Sequence, residues 1–162
     1  MKKKLGILAG LGLALIPAIA LTSCDFGGGS INSDLRITVS SESISKIAKM
    51  KESEDSSKEV YTIFMNASNN STSAITLKNT DFKVKVNDKE ITALYFVLGS
   101  KYTIEDGKSS YFITSKSESK EIPVNEKTGE SSVSTSSFTI AFEEDITNSP
   151  VFFYNGSQIM QY

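Results

Sequence analysis

Apolar and polar residues alternate along much of this chain, and this alternation constrains its fold more than any other feature. It is clearest at Leu35–Val39, Phe82–Val86 and 138–142. A period of two gives a β-strand with one buried face and one exposed face. Because no segment has the pattern of an amphipathic helix of ordinary length, the sequence predicts an all-β protein.

Turn signals separate the alternating stretches. Asn87-Asp88, Asp106-Gly107 and Asn155-Gly156 each stand between two apolar stretches, and such dipeptides are typical of hairpin turns. Residues 59–67 are apolar on both faces, as expected of a central strand that is covered on both sides. Seven to nine short strands with turns between them predict an immunoglobulin-like antiparallel β-sandwich over residues 34–162.

Aromatic residues are the candidates for the core of this sandwich. Burial of one phenylalanine contributes about 1.5–3 kcal/mol, so several of them can stabilise a domain of this size without a disulfide. We expect six phenylalanines to be buried: Phe64, Phe82, Phe96, Phe112, Phe138 and Phe142.

Three segments are less regular. Residues 44–50 are either a short helix or an extension of the preceding strand, and residues 52–58 are a charged loop. Residues 115–136 are rich in Ser, Lys and Glu, which predicts a long exposed loop with a short strand near 122–124. Because binding residues concentrate on loops held by a rigid scaffold, this loop is a candidate site. The alternative is a disordered spacer.

The N-terminal residues have the arrangement of a secretory signal peptide. Three lysines at positions 2–4 precede an apolar run over residues 5–21. This run is 17 residues long and contains Pro17. A membrane-spanning helix needs about 20 apolar residues, so a permanent span is the less favoured alternative.

The end of this run, Leu21-Thr22-Ser23-Cys24, resembles the lipobox of bacterial lipoproteins. The resemblance implies that the Cys24 thiol receives a diacylglycerol and that a peptidase cleaves just before it, so residues 1–23 are a signal peptide. Residues 24–33 include three consecutive glycines and are predicted to form a lipidated, flexible tether. Two acyl chains suffice for stable anchoring, which predicts a location on the extracellular face of the cell membrane.

Charge and composition exclude several classes of function. Removal of 23 of the 162 residues leaves 139, with a net charge of −5, and an acidic chain is a poor ligand for nucleic acid. The sequence has no histidine, no tryptophan and a single cysteine. These absences exclude Ser-His-Asp and Cys-His catalytic sites and zinc sites with histidine ligands.

Two further hydrolase motifs are also absent. The chain has no GxSxG or HExxH sequence. Two acidic groups, at 52–55 and 143–145, lack the spacing of a calcium loop, and we interpret them as solvated loops. We therefore predict no enzymatic activity, no cofactor and no metal. A hydrolase that uses carboxylates or a Ser-Lys pair is the remaining enzymatic alternative.

Residues 61–70 (YTIFMNASNN) and 73–82 (SAITLKNTDF) resemble the hallmark region of the DUF4352 family, a telokin-like, immunoglobulin-like group of bacterial domains. In that family a hydrophobic strand ends in asparagine and small residues, and the next strand begins with an Asp-Phe pair, here Asp81-Phe82. Residues 105–109 resemble its glycine turn, and 137–143 and 151–154 resemble its closing strands. The resemblance implies an immunoglobulin-like fold behind a lipoprotein signal, and no catalytic residues.

These observations predict a membrane-anchored extracellular lipoprotein with a non-enzymatic binding or structural role. The lipid on Cys24 would provide the membrane contact, and the partner would be another envelope protein or a host protein. Phe152, Phe153 and Tyr154 are a candidate binding surface, although core packing with one of the three exposed is the favoured interpretation of this run. The second hypothesis is a small-ligand-binding protein or an accessory subunit of an envelope transporter.

Overall fold

The computed structural model describes residues 30–32, 34–125 and 135–162, and these residues are mostly β-structure. The predicted signal peptide, Cys24 and residues 25–29 of the predicted tether lie outside the described residues. One short α-helix, α1, spans Ser41–Ser45, and a 3-10 turn spans Asn79–Asp81. The described strands are β1 Ser30–Asn32, β2 Leu35–Val39, β3 Ala48–Lys51, β4 Glu59–Asn69, β5 Ile75–Lys78, β6 Phe82–Val86, β7 Lys89–Thr92, β8 Tyr95–Glu105, β9 Lys108–Ser117, β10 Ser119–Ile122, β11 Ser136–Phe142, β12 Val151–Tyr154, β13 Ser157–Gln158 and β14 Met160–Gln161. The predicted all-β class is confirmed.

The strands form three sheets. The largest has the order β1-β2-β4-β11-β8-β9-β3, with β14 added beside β2. Strand β3 also pairs with β4, so β3, β4, β11, β8 and β9 close into a five-stranded barrel. Its pairings are antiparallel apart from the β3–β9 contact. The other sheets are β13-β12-β6-β7 and the pair β10-β5.

Gly99 marks the point at which β8 bends away from β11. Strand β8 pairs with β11 only from Tyr95 to Val97, and its register with β9 shifts on both sides of Gly99. A Cβ atom at Gly99 would lie 2.8 Å from the Thr114 hydroxyl oxygen, which is too close. A bulge of this kind increases the bend of a strand and helps a sheet to close.

One large hydrophobic core joins the three sheets. Phe82 of β6 packs against Phe96 of β8 and Phe138 of β11, with ring centroids 5.7 and 5.6 Å apart. A second, smaller core fills the barrel, and it contains Val60, Tyr95, Ile113 and Ala141. The chain passes from the β13-β12-β6-β7 sheet to the largest sheet through Ala93 and Leu94, the residues between β7 and β8.

Five of the six predicted core phenylalanines are buried, but the prediction for Phe64 is wrong. Ile63 and Met65 of β4 face the large core, so the alternation of the strand turns Phe64 to the opposite face. Its side chain is 45% exposed. The central position of β4 is nevertheless confirmed, because it pairs with β11 on one side and with β2 and β3 on the other.

The predicted hairpins are confirmed, with one difference. The turns at Asn87-Asp88, Asp106-Gly107 and Asn155-Gly156 have positive φ at both positions, as type I′ turns require. The apolar stretch that follows the first of these turns, 90–98, divides into the end of β7 and the start of β8, which lie in different sheets. The Asn79 side chain holds this break by donating hydrogen bonds to the carbonyl oxygens of Ala93 (3.1 Å) and Leu94 (2.6 Å).

Two predicted irregular segments contain regular structure. Strand β1 pairs with β2, so the prediction of a tether does not hold for residues 30–32. The predicted loop 115–136 is wrong for its first part, because β9 continues to Ser117 and β10 pairs with β5. The rest of that segment, 126–134, lies outside the described residues. Residues 44–50 contain the end of α1 and most of β3, and 52–58 form a loop as predicted.

Candidate functional site

A groove lies on the outer face of β2 and β4, on the side of the sheet opposite the large core. Ile37 and Ala67 face that core, so their neighbours along each strand face outward. The register places Arg36 beside Ser68 and Thr38 beside Asn66. The groove has a volume of about 330 Å³. We define the Arg36 groove by its polar residues, which are Arg36, Thr38, Asn66, Ser68, Asn70, Thr135 and Tyr162.

Hydrogen bonds hold several groove side chains in place. The Asn125 amide donates to the Ser68 hydroxyl (2.7 Å) and to the Asn70 side-chain carbonyl (2.6 Å). The Ser137 hydroxyl donates to the Asn66 side-chain carbonyl (2.9 Å). The Asn66 and Asn70 amide oxygens are thus engaged, which orients their amide groups. This arrangement presents a fixed set of donors and acceptors on a sheet face.

Arg36 is the only arginine in the sequence. Its side chain is exposed, and one guanidinium nitrogen lies 3.1 Å from the Met160 sulfur. Within the described ranges every ion pair uses a lysine as the cation. The Arg36 guanidinium therefore has no carboxylate partner among the described residues.

Two exposed aromatic side chains lie on the same face of the sheet as this groove, and one of them, Tyr162, is part of its lining. Phe64 precedes Asn66 by two residues on β4 and therefore lies on the same face, where it is 45% exposed. The Tyr162 side chain is 62% exposed, and its hydroxyl lies 3.5 Å from the Asn66 amide nitrogen. The groove thus combines one cation, several amides and hydroxyls, and the Tyr162 ring, and the Phe64 ring lies on the same strand face.

A second cavity, of about 430 Å³, lies at one end of the barrel beside Tyr95. The Lys116 ammonium lies 2.8 Å from a Glu52 carboxylate oxygen and 4.7 Å from the centroid of the Tyr95 ring. The Tyr95 hydroxyl is buried, and in the part of the chain that the structure describes it has no hydrogen-bond partner. Burial, assisted by the nearby Glu52 carboxylate, raises the pKa of Tyr95 to about 12.

We expect Tyr95→Phe to leave the protein as stable as the wild type or more stable by about 1 kcal/mol, because it removes a buried hydroxyl without a partner. The raised pKa of Tyr95 also makes the stability depend on pH. The folded state holds the phenol proton more tightly than the unfolded state does. The stabilisation that comes from this difference is complete below pH 10 and is lost as the pH rises from 10 to about 12.

Urea unfolding between pH 7 and 11.5 measures both effects. The wild type should lose stability above pH 10 more steeply than Tyr95→Phe, whereas Tyr102→Phe, at an exposed tyrosine, should follow the wild type. Parallel pH profiles for wild type and Tyr95→Phe would show that the Tyr95 hydroxyl is hydrated.

The aromatic run predicted as a binding surface is largely in the core. Phe152 packs 6.2 Å from Phe142, and Tyr154 packs 4.8 Å from Phe82, both measured between ring centroids. Phe152 and Tyr154 are buried and Phe153 is partly exposed. The alternation of β12 therefore favours the core-packing alternative for Phe152 and Tyr154 and leaves only Phe153 near solvent.

Three glutamates of the acidic groups at 52–55 and 143–145 form ion pairs with lysines. Glu52 pairs with Lys116, Glu143 with Lys58 at 3.0 Å, and Glu144 with a lysine of β7. The described residues contain no group of three or more His, Cys, Asp or Glu side chains able to hold a metal ion.

Sequence reasoning did not find the Arg36 groove. The one sequence signal for this groove was the single arginine at an outward position of an alternating strand.

Within the described residues no helix is long and apolar enough to span a membrane. Comparison with known proteins found no matching family model, curated protein or solved structure.

Proposed function

We propose that this chain is a bacterial lipoprotein, anchored to the extracellular face of the cell membrane, with a non-enzymatic binding role. The single observation that carries the proposal is the sequence Leu21-Thr22-Ser23-Cys24 after a charged and then apolar N-terminus. Acylation of the only cysteine would attach the protein, since two acyl chains give stable membrane binding.

The β-domain would serve as the scaffold of this binding role, and we propose an immunoglobulin-like sandwich architecture of the DUF4352 type. Two observations support it. The large sheet and the β13-β12-β6-β7 sheet contribute to one shared core, as two packed layers do. The resemblance of residues 61–70 and 73–82 to that family is the second.

The binding role is supported by the Arg36 groove, because hydrogen bonds orient several of its polar side chains and the exposed Tyr162 ring is part of its lining. The partner would be another envelope protein or a molecule of a host. The two cavities, of about 330 and 430 Å³, favour a second candidate function, which is binding of a small ligand as an accessory subunit of a transporter.

Lipid attachment at Cys24 is testable by metabolic labelling. When cells express the full chain with radiolabelled palmitate, we expect the wild type to incorporate label and Cys24→Ala to incorporate none, because the thiol is the acylated group. The matched control is Ser30→Ala, which changes a nearby small residue and leaves the thiol intact. Label that persists in Cys24→Ala, or is absent from the wild type, would disprove the anchoring.

The binding role and its alternative are separated by two measurements on the full chain in detergent. Capture from solubilised membranes tests for an envelope protein. A thermal-shift panel of metabolites and metals tests for a small ligand, since a ligand that binds only the folded state raises the midpoint. A specific protein partner with no thermal shift would favour the first function, and the reverse result would favour the second.

A further inference from the structure

We propose that the Arg36 groove binds a carbohydrate that carries a carboxylate, such as a uronic acid or a sialic acid. This inference rests on the proposed binding function and names its ligand class. It depends on three properties of the groove: a guanidinium without a carboxylate partner among the described residues, two strands whose backbone edges are paired within the sheet, and exposed aromatic rings on the same face.

The guanidinium of Arg36 selects for an anion. A planar guanidinium matches the geometry of a carboxylate and can form two parallel hydrogen bonds with it. No acidic residue is among the described residues that line the groove, and Arg36 contacts a thioether sulfur instead. A ligand carboxylate would therefore meet this cation without displacing a carboxylate of the described part of the protein.

The surroundings of Arg36 favour a sugar over an extended peptide. Strand β2 is paired with β4 on one edge and with β1 and β14 on the other, and β4 is paired on its other edge with β11. The backbone groups of both strands are thus used within the sheet, and β-augmentation by a peptide requires an exposed edge. Recognition at this face must come from side chains.

The side chains present are suited to hydroxyl groups. Asn66 and Asn70 supply amide nitrogens, and Thr38 and Tyr162 supply hydroxyls. Because Asn125 and Ser137 already engage the Asn70 and Asn66 oxygens, the amide nitrogens are oriented before a ligand arrives. Fixed groups lose little conformational entropy on binding, which favours affinity.

The exposed rings complete the site. A pyranose has a face of C–H groups, and the negative face of an aromatic ring attracts such weakly positive hydrogens. Tyr162 lines the groove, Phe64 lies two residues from Asn66 on the same face of β4, and both side chains are exposed. An apolar phenylalanine beside amides and an arginine fits a ligand that is polar at its edges and apolar on one face.

Calorimetric titration of the full chain in detergent tests the proposal with defined probes. Tetragalacturonate is compared with neutral maltotetraose, and sialyllactose with neutral lactose. We expect at least one acidic probe to bind about tenfold or more tightly than its neutral counterpart, because a hydrogen bond to a charged group contributes at least that factor. Which acidic probe binds identifies the source of the carboxylate.

Arg36→Gln should remove this preference, and Phe64→Ala should weaken binding of both acidic probes by about tenfold or less while retaining the preference. Lys108→Gln, which removes an exposed cation from the first position of β9, should bind as the wild type does. Circular dichroism of each variant verifies folding. All three substitutions replace exposed side chains, so the fold should persist.

Two results would overturn the proposal. One is equal affinity of the wild type for acidic and neutral probes, including no binding of any. The other is a preference that Arg36→Gln leaves unchanged. Palmitate labelling at Cys24 and capture of a partner are measured separately, so a lipoprotein that binds a partner but no acidic carbohydrate would retain the proposed function and lose only this inference.

Discussion

Replacement of Phe82 by alanine should lower the free energy of unfolding by about 3–5 kcal/mol. Phe82 is 1% exposed and belongs to the smaller four-stranded sheet. Its ring contacts Phe96 and Phe138 of the large sheet and Tyr154 of its own sheet, with centroids 5.7, 5.6 and 4.8 Å away. The substitution therefore leaves a cavity where the two layers meet, and the paired strands around it cannot collapse to fill it.

Urea unfolding followed by circular dichroism measures this loss. Phe64→Ala is the matched control, since it makes the same chemical change on an exposed face and should cost less than about 1 kcal/mol. Equal losses for the two variants would contradict the assignment of Phe82 to the centre of the core. A full loss for Phe64→Ala alone would place the core on the other face of β4.

The strand faces could be predicted from the sequence because alternation is a local property. At Leu35–Val39 and Phe82–Val86 the apolar positions are the buried ones. The three hairpin turns could also be predicted, because each requires positive φ at residues that tolerate it. Both features depend on residues that are neighbours in the sequence.

Closure of the barrel could not be predicted, because it depends on contacts between distant residues. The Gly99 bulge redirects β8, and Lys51 then pairs with Phe112. Alternation also does not indicate which sheet a strand joins. The change of sheet at Ala93 and Leu94 therefore could not be predicted, because it depends on the hydrogen bonds that the Asn79 side chain donates to their carbonyl oxygens. Strand β10 could not be predicted from its Ser-rich composition, because it forms through pairing with β5.

The candidate site was missed for a related reason. The aromatic residues at 152–154 were predicted as a binding surface, but hydrophobicity alone does not distinguish a core residue from an exposed one. Arg36, Asn66 and Asn70 are separated in the sequence and meet only through the register of β2 on β4 and the turn that follows β4. Polar residues brought together by pairing leave no local pattern.

Asn69 should be the polar residue whose loss costs most among those considered. Its side chain is fully buried, and its amide donates to the carbonyl oxygens of Ser73 (2.9 Å) and Ile122 (3.0 Å). Its oxygen accepts from the backbone nitrogen of Ser71 (3.0 Å) and from the Ser71 hydroxyl (2.6 Å). One side chain thus closes the turn after β4 and ties it to the end of β10.

Asn69→Ala should lower the free energy of unfolding by about 2–4 kcal/mol, because buried carbonyl groups lose their donors and water cannot easily replace them. Asn70→Ala, at an adjacent exposed asparagine, should cost less than about 1 kcal/mol.

Asn69→Asp distinguishes the contribution of the donor nitrogen from that of the acceptor oxygen. It keeps the acceptor, removes both donors and places a carboxylate against two carbonyl oxygens. At neutral pH it should therefore destabilise at least as much as alanine and regain stability on acidification, when the protonated acid can donate once. A neutral-pH stability of Asn69→Asp equal to that of the wild type would mean that the donor hydrogen bonds to Ser73 and Ile122 contribute nothing.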